Sequence, residues 1–236
     1  MYKKSASYSE QAECVQSVAN RCTQLSAAFN YSDQDARSVC LHNIRSFAYG
    51  CGLILNLLDS WAIGDKTIRE AIPQLLGLED VTKHSVQVAG NILHKDSKLT
   101  LVLLAQFQIE NLFRNLARDL SIKVNQGFYV LAGDVLTHVG IPNGLDVLNT
   151  PALIRNSLHS NGIHRGYAGN DTKVTLGGVS YEFLNDEPVH CATVEHIAHS
   201  LESSLDVLDQ VLNTSQVLAL SDPLMDEYVW DIATSP

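Results

Sequence analysis

Beyond Lys173 the 236-residue chain contains no lysine and no arginine. Residues 174–236 carry 11 acidic side chains, whereas 16 basic and 15 acidic residues precede them. The net charge of −10 therefore belongs to the C-terminal segment. Taken alone, that charge argues against a nucleic-acid partner. Its confinement leaves the first 173 residues nearly neutral, so an RNA-binding surface there is not excluded. The acidic part reads as a solvated helix face followed by an acidic tail over 221–236.

Long apolar runs are also missing. The two longest, "CGLILNLLDSWAI" and "LTLVLLA", fall well short of a bilayer span, so no membrane partner is expected. No apolar stretch follows Lys3 and Lys4, so a signal peptide is not expected either. The five cysteines make an odd set without a C-x-x-C pair, which fits reduced thiols in a cytoplasmic protein. P-loop, G-x-G-x-x-G and G-x-S-x-G patterns are absent, and no cofactor is expected. A content of 45% hydrophobic and 18% charged residues suits an ordinary folded chain with room for one large or two small domains.

Apolar residues recur at helical spacing almost throughout. Helices are expected over 10–30 and 39–62, the latter capped by Asp33, Asp35 or Ser38 and weakened at Gly50 and Gly52. Pro73 and Gly77 punctuate a shorter element. "LEDVTKHSVQVAGNILHKDS" reads as a helix running into a loop, after which residues 97–120 form the strongest helix. Apolar positions nearly surround that helix up to Phe107, as in a buried central helix. Further helices are expected over 125–139, over 150–161 with Thr150 as cap and Pro151 as first residue, and over 193–213. "KVTLGGVSYEF" predicts a β-hairpin about Gly177-Gly178, over about 173–184. The expected architecture is an all-α bundle with one inserted hairpin. Residues 1–90 would form an N-terminal helical region, as extra bundle helices or a separate recognition part. Residues 91–220 would form the main bundle.

Chemistry-bearing residues concentrate in "LIRNSLHSNGIHRGY". Helical spacing puts Arg155 and His159 one turn apart on one face, with Asn156 beside them. An arginine offers a fixed fork of donors for a phosphate, and a histidine titrates near neutral pH. Together they suffice for phosphodiester cleavage without a metal, although a helix C-terminus favours cations for dipole reasons alone. Glu110, Asn111, Arg114 and Arg118 form a polar stripe on the preceding long helix, with Glu110 and Arg114 spaced as an ion pair. "HCATVEHIAH" holds His190, Cys191, Glu195, His196 and His199, but only His196 and His199 share a helix face. No metal is expected there.

The stretch "LIRNSLHSNGIHRG", placed after a long apolar helix with "QIENLFRNL" and before a hairpin and closing helix, resembles the HEPN superfamily (higher eukaryotes and prokaryotes nucleotide-binding). The resemblance covers about residues 95–215. It implies a bundle of four or five helices that pairs into homodimers. It further implies metal-independent endoribonuclease activity on RNA in toxin–antitoxin or antiviral defence systems, with an antitoxin or other defence-system protein as a further partner. The family motif is an arginine, often followed by Asn, Asp or His, then four to six residues and a histidine. Here Arg155, Asn156 and His159 take those places with only three residues between arginine and histidine. His164 is the substitute candidate. Tyr167 echoes a tyrosine that follows the motif in members silenced by a nucleotidyltransferase antitoxin, at a different spacing. Relatives with altered motifs imply the alternative, a non-catalytic dimerisation and interaction module.

Overall fold

A computed structural model of the chain describes residues 6–75, 77 and 82–225. Eight α-helices and one antiparallel hairpin are present among them. Helix α1 (Tyr8–Phe29) starts with a capping box: Ser7 Oγ accepts from Glu10 N, and the Glu10 carboxylate accepts from Ser7 N at 2.6 Å. It buries Val15, Val18, Cys22 and Leu25. Helix α2 (Ala36–Ile63) is capped by Asp35 and stops at Gly64, whose φ of 95° is one that glycine adopts readily. Gly50 and Gly52 do not break it. The helix is held between α1 and α4, and this packing outweighs the cost of about 1 kcal/mol per interior glycine. Ser9 N donates to Asp59 at 3.2 Å, so α1 and α2 run antiparallel.

After α3 (Lys66–Leu75), helix α4 runs without interruption from Lys83 to Asp119. The expected helix–loop–helix across 78–120 is corrected here, although residues 78–81 lie outside the described residues. The polar stretch "HKDSK" read as a loop, yet its side chains find partners that let the helix continue. His94 Nε2 meets Gln11 Oε1 of α1 at 2.8 Å, and Lys98 Nζ donates to Ala192 O at 3.0 Å. Ser97 Oγ bonds back to His94 O at 3.0 Å. A second correction concerns enclosure. Phe107 is 46% exposed and Leu103 and Leu104 are only half-buried, so apolar neighbours do not enclose the helix all round up to that point. Helix α2 packs antiparallel on it. Asn43 Nδ2 donates to Gln108 Oε1 at 3.1 Å at one end, and Gly90 lies against Trp61 and Leu58 at the other.

Helix α5 (Phe128–His138) leads through a 3-10 turn (Pro142–Gly144) into α6 (Leu145–His159). Helix α6 begins five residues before the expected cap, and Pro151 lies inside it. Proline removes one helical N–H and crowds the carbonyl four residues back, here that of Val147. Ser204 Oγ of the final long helix sits 3.5 Å from that carbonyl, and Thr150 Oγ1 donates to Asp146 O. Packing against the neighbouring helix thus supports a turn that the sequence alone reads as a start.

Strands β1 (Thr172–Leu176) and β2 (Val179–Phe183) form the expected hairpin, with Leu176 opposite Val179. Gly177 and Gly178 have φ of 51° and 84°, the positive pair that a tight two-residue turn demands. Tyr181 and Phe183 are fully buried. Helix α7 (Val194–Leu212) is capped by Thr193 and packs on α1, α4 and α6. Arg21 ties α1 to its Asp206 and Asp209 at 2.8 and 2.9 Å. After α8 (Ser215–Leu218), the chain crosses the N-terminus of α2. There Arg37, 1% exposed, pairs with Asp35 at 2.6 Å and donates to Ser221 O, while Leu224 N donates to Asp35 Oδ2. One hydrophobic core runs from Ala12 to Leu224. Of the acidic tail expected over 221–236, residues 226–236 lie outside the described residues. No single helix among those described is long and apolar enough to cross a membrane.

Candidate functional site

Helix α6 carries Arg155, Asn156 and His159 in its last turns, facing the middle of α4. Arg155 is half-buried, while Asn156 and His159 are exposed. The arginine fork is held in place: Nε and Nη2 donate to Asn156 Oδ1 at 3.1 and 3.0 Å. Its Nη1 lies 3.7 Å from Glu110 Oε2. The other Glu110 oxygen accepts from Arg114 Nη2 at 2.6 Å. Arg114 also donates to Val124 O and Gln126 O, which fixes the segment entering α5. The polar stripe expected on the long helix is therefore real, and Glu110 joins it to the Arg155 motif.

Two grooves meet here. One, of about 750 Å³, is lined by Leu103, Leu104, Phe107, Arg155, Asn156, His159 and Ser160. The other, of about 630 Å³, is lined by Phe107, Glu110, Asn111, Arg114, Arg118, Val124 and Asn125. Phe107 borders both. Among the described residues that line the pair, three carry guanidinium groups and one a carboxylate. Arg155 and His159 together can hold an anion and exchange a proton at its edge.

His164 stands elsewhere. It is 3% exposed, packs on Phe183 with ring centroids 5.4 Å apart, and has Nδ1 3.5 Å from Ser157 Oγ. Its Nε2 is buried with no hydrogen-bond partner. Burial pushes its pKa below the ordinary value, against a smaller opposing effect of Asp171. Its backbone pairs with Asp186 and Glu187 and seats the hairpin on the end of α6. Asn111 is also largely buried, at 7% exposure, at the edge of the second groove. Tyr167 projects into solvent at 95% exposure.

The histidines of α7 have local partners. His196 Nδ1 meets Thr193 Oγ1 at 2.9 Å, and His199 Nδ1 meets Tyr181 OH at 2.8 Å. Among the described residues no three His, Cys, Asp or Glu side chains could share a metal ion. The cysteines are all thiols; burial raises Cys22 to about 12 and Cys51 to about 11, which keeps them protonated.

Sequence reasoning missed Leu103, Leu104 and Phe107 as groove residues because an apolar face on a long helix reads as core. The available signal was angular. Phe107, Asn111, Arg114 and Arg118 fall on one helix face, so the aromatic ring belongs with the polar stripe. In comparison with known proteins, the chain matches no protein-family model, no curated protein and no solved structure.

Proposed function

We propose that the chain is a metal-independent endoribonuclease of HEPN type, acting on single-stranded RNA as a homodimer in a toxin–antitoxin or antiviral defence role. The observation that carries this reading is the opening of Arg155, Asn156 and His159 onto one groove. His159 takes the proton of the ribose 2′-hydroxyl, whose oxygen attacks the adjacent phosphorus. Arg155 balances the charge that builds on the pentacoordinate phosphate. The 5′-oxygen leaves and is protonated by the histidine of the second copy in a paired cleft. The products are a 2′,3′-cyclic phosphate and a 5′-hydroxyl. A phosphate enters by displacing the 3.7 Å contact of Arg155 with Glu110, the longest link in its network.

The test is incubation of the purified chain with single-stranded RNA in EDTA, with the 3′-ends of the fragments identified. Cyclic phosphate termini support the reading. Intact RNA removes the enzyme and leaves the second reading, a non-catalytic dimerisation and interaction module. That alternative is favoured by one feature: Arg155 is already bonded within the fold, beside an apolar wall of Leu103, Leu104 and Phe107. Light scattering decides the assembly, since both readings require a dimer.

A further inference from the structure

A cavity of about 920 Å³ opens far from Arg155, where the end of α2 and the start of α4 meet the first turn of α1. Its size is that of a small-molecule site. Asn91 on its wall and Glu110 beside Arg155 are nineteen residues apart on α4, or about 28 Å. Two aromatic rings, Tyr8 and Trp61, line it. Gly90 lets the indole pack closely on α4, since a Cβ there would lie 3.4 Å from the six-membered ring of Trp61. Tyr8 is fixed by an edge contact with His94, with ring centroids 5.4 Å apart. Arg69 Nε donates to the carbonyl of Trp61 at 3.3 Å, which ties the cation to the residue that supplies the ring. Gly64 makes room for the guanidinium, because a Cβ there would stand 3.2 Å from Arg69 Nη2. Gln87 and Asn91, one turn apart on α4, add two side-chain amides. Among the described residues that line the cavity, Arg69 carries a charge and no acid does.

We infer that this cavity binds a small planar aromatic carboxylate. A flat ring matches walls made by Tyr8 and Trp61. A carboxylate matches the Arg69 fork, whose Nε takes the Trp61 carbonyl while its two Nη groups meet no partner among the described residues. One guanidinium balances one negative charge. A phosphate monoester would bring nearly two into a chain of net charge −10, so the carboxylate is the better fit. The amides of Gln87 and Asn91 offer donors and acceptors to polar substituents on the ring. The inference is independent of the RNA reading, since none of these residues lines the grooves beside Arg155.

The test titrates the full chain with three probes in a calorimeter: 1-naphthoate, its neutral amide 1-naphthamide, and the non-aromatic cyclohexanecarboxylate. Wild type should bind 1-naphthoate with a Kd below about 1 mM, and each control at least about tenfold more weakly. Arg69→Gln should weaken 1-naphthoate about tenfold or more and remove its advantage over the amide. Trp61→Leu keeps an apolar residue but removes the ring, and should weaken it about threefold or more. Arg155→Gln should leave the affinity unchanged, because its groove lies elsewhere. Absence of saturable 1-naphthoate binding would overturn the site. So would equal binding of either control, or full affinity in a folded Arg69→Gln or Trp61→Leu chain. Loss of binding in Arg155→Gln would overturn it too, by moving the ligand to the other groove. Should Trp61→Leu fail to melt cooperatively, Arg69→Gln decides, since Arg69 is exposed.

Discussion

Glu110 accepts from Arg114 at 2.6 Å through one carboxylate oxygen and faces Arg155 at 3.7 Å through the other. A single side chain on α4 thus links Arg114 to the arginine that α6 contributes to the groove. Glu110→Gln removes the negative charge while keeping the shape. The pair is partly exposed, so stability should fall by no more than about 1 kcal/mol in a denaturant melt. Affinity for single-stranded RNA should rise, because the groove loses the carboxylate that faces Arg155. Weaker binding would mean that Arg155 needs Glu110 to stay oriented.

The motif separates chemistry from packing. His159→Ala and Arg155→Ala should each lower RNA cleavage about 100-fold or more, with little change in melting temperature. EDTA should not change the wild-type rate, since the proposed steps use no metal. His164→Ala should act in the opposite sense. Its ring fills space against Phe183, so the variant should melt earlier and keep cleaving in proportion to its folded fraction. Loss of cleavage by a fully folded His164→Ala would overturn this assignment.

Acid should destabilise the fold through two histidines. Burial lowers the pKa of His164, and burial together with Lys98 lowers that of His94 against the opposing effect of Glu195. The unfolded chain therefore binds more protons than the folded one as pH falls below 6.5, and stability drops with it. Above about pH 7.5 these groups contribute no slope, as both states are neutral there. Melting temperatures between pH 5.5 and 7.5 should show this loss. His164→Gln should flatten the curve by up to about one proton's share, roughly 1.4 kcal/mol per pH unit. An unchanged slope would deny His164 its part.

Arg37 and Asp35 are 1% and 0% exposed and hold the chain near Ser221 and Leu224 against α2. The Arg37 guanidinium also lies over the Tyr31 ring at 3.6 Å. Arg37→Ala leaves a buried carboxylate without its partner and should cost about 3–5 kcal/mol. Replacing both, Asp35→Asn with Arg37→Met, should cost less than the single change. Denaturant midpoints of the three proteins measure this, and a larger loss in the double variant would contradict it.

What the sequence revealed was local. Gly177-Gly178 between β-branched and aromatic residues announced the hairpin, and Asp35, one of three expected cap candidates, caps α2. The failures were those where a distant residue decides. Nothing near His94 or Lys98 announces that Gln11 and Ala192 will take their polar groups, so the stretch read as a loop. Pro151 read as a helix start because the α7 neighbour that accompanies its turn lies far along the chain. Arg155, Asn156 and His159 were legible as a cluster because they share one helix. Periodicity does not say which apolar residues of α4 stay exposed, and so Phe107 passed as core.

The unbroken α4 makes the two ends of the molecule mechanically dependent. His94, bonded to α1, and Glu110, facing Arg155, are sixteen residues apart on one rod, or about 24 Å. A tilt of only about 5° pivoting at the His94 contact sweeps the Glu110 end through about 2 Å, given that lever arm. That movement is enough to open or close the gap between its carboxylate and Arg155. A helix–loop–helix in its place would absorb the tilt at the hinge. Side chains at the α1 junction, among them Gln11, therefore lie upstream of the groove geometry without touching it.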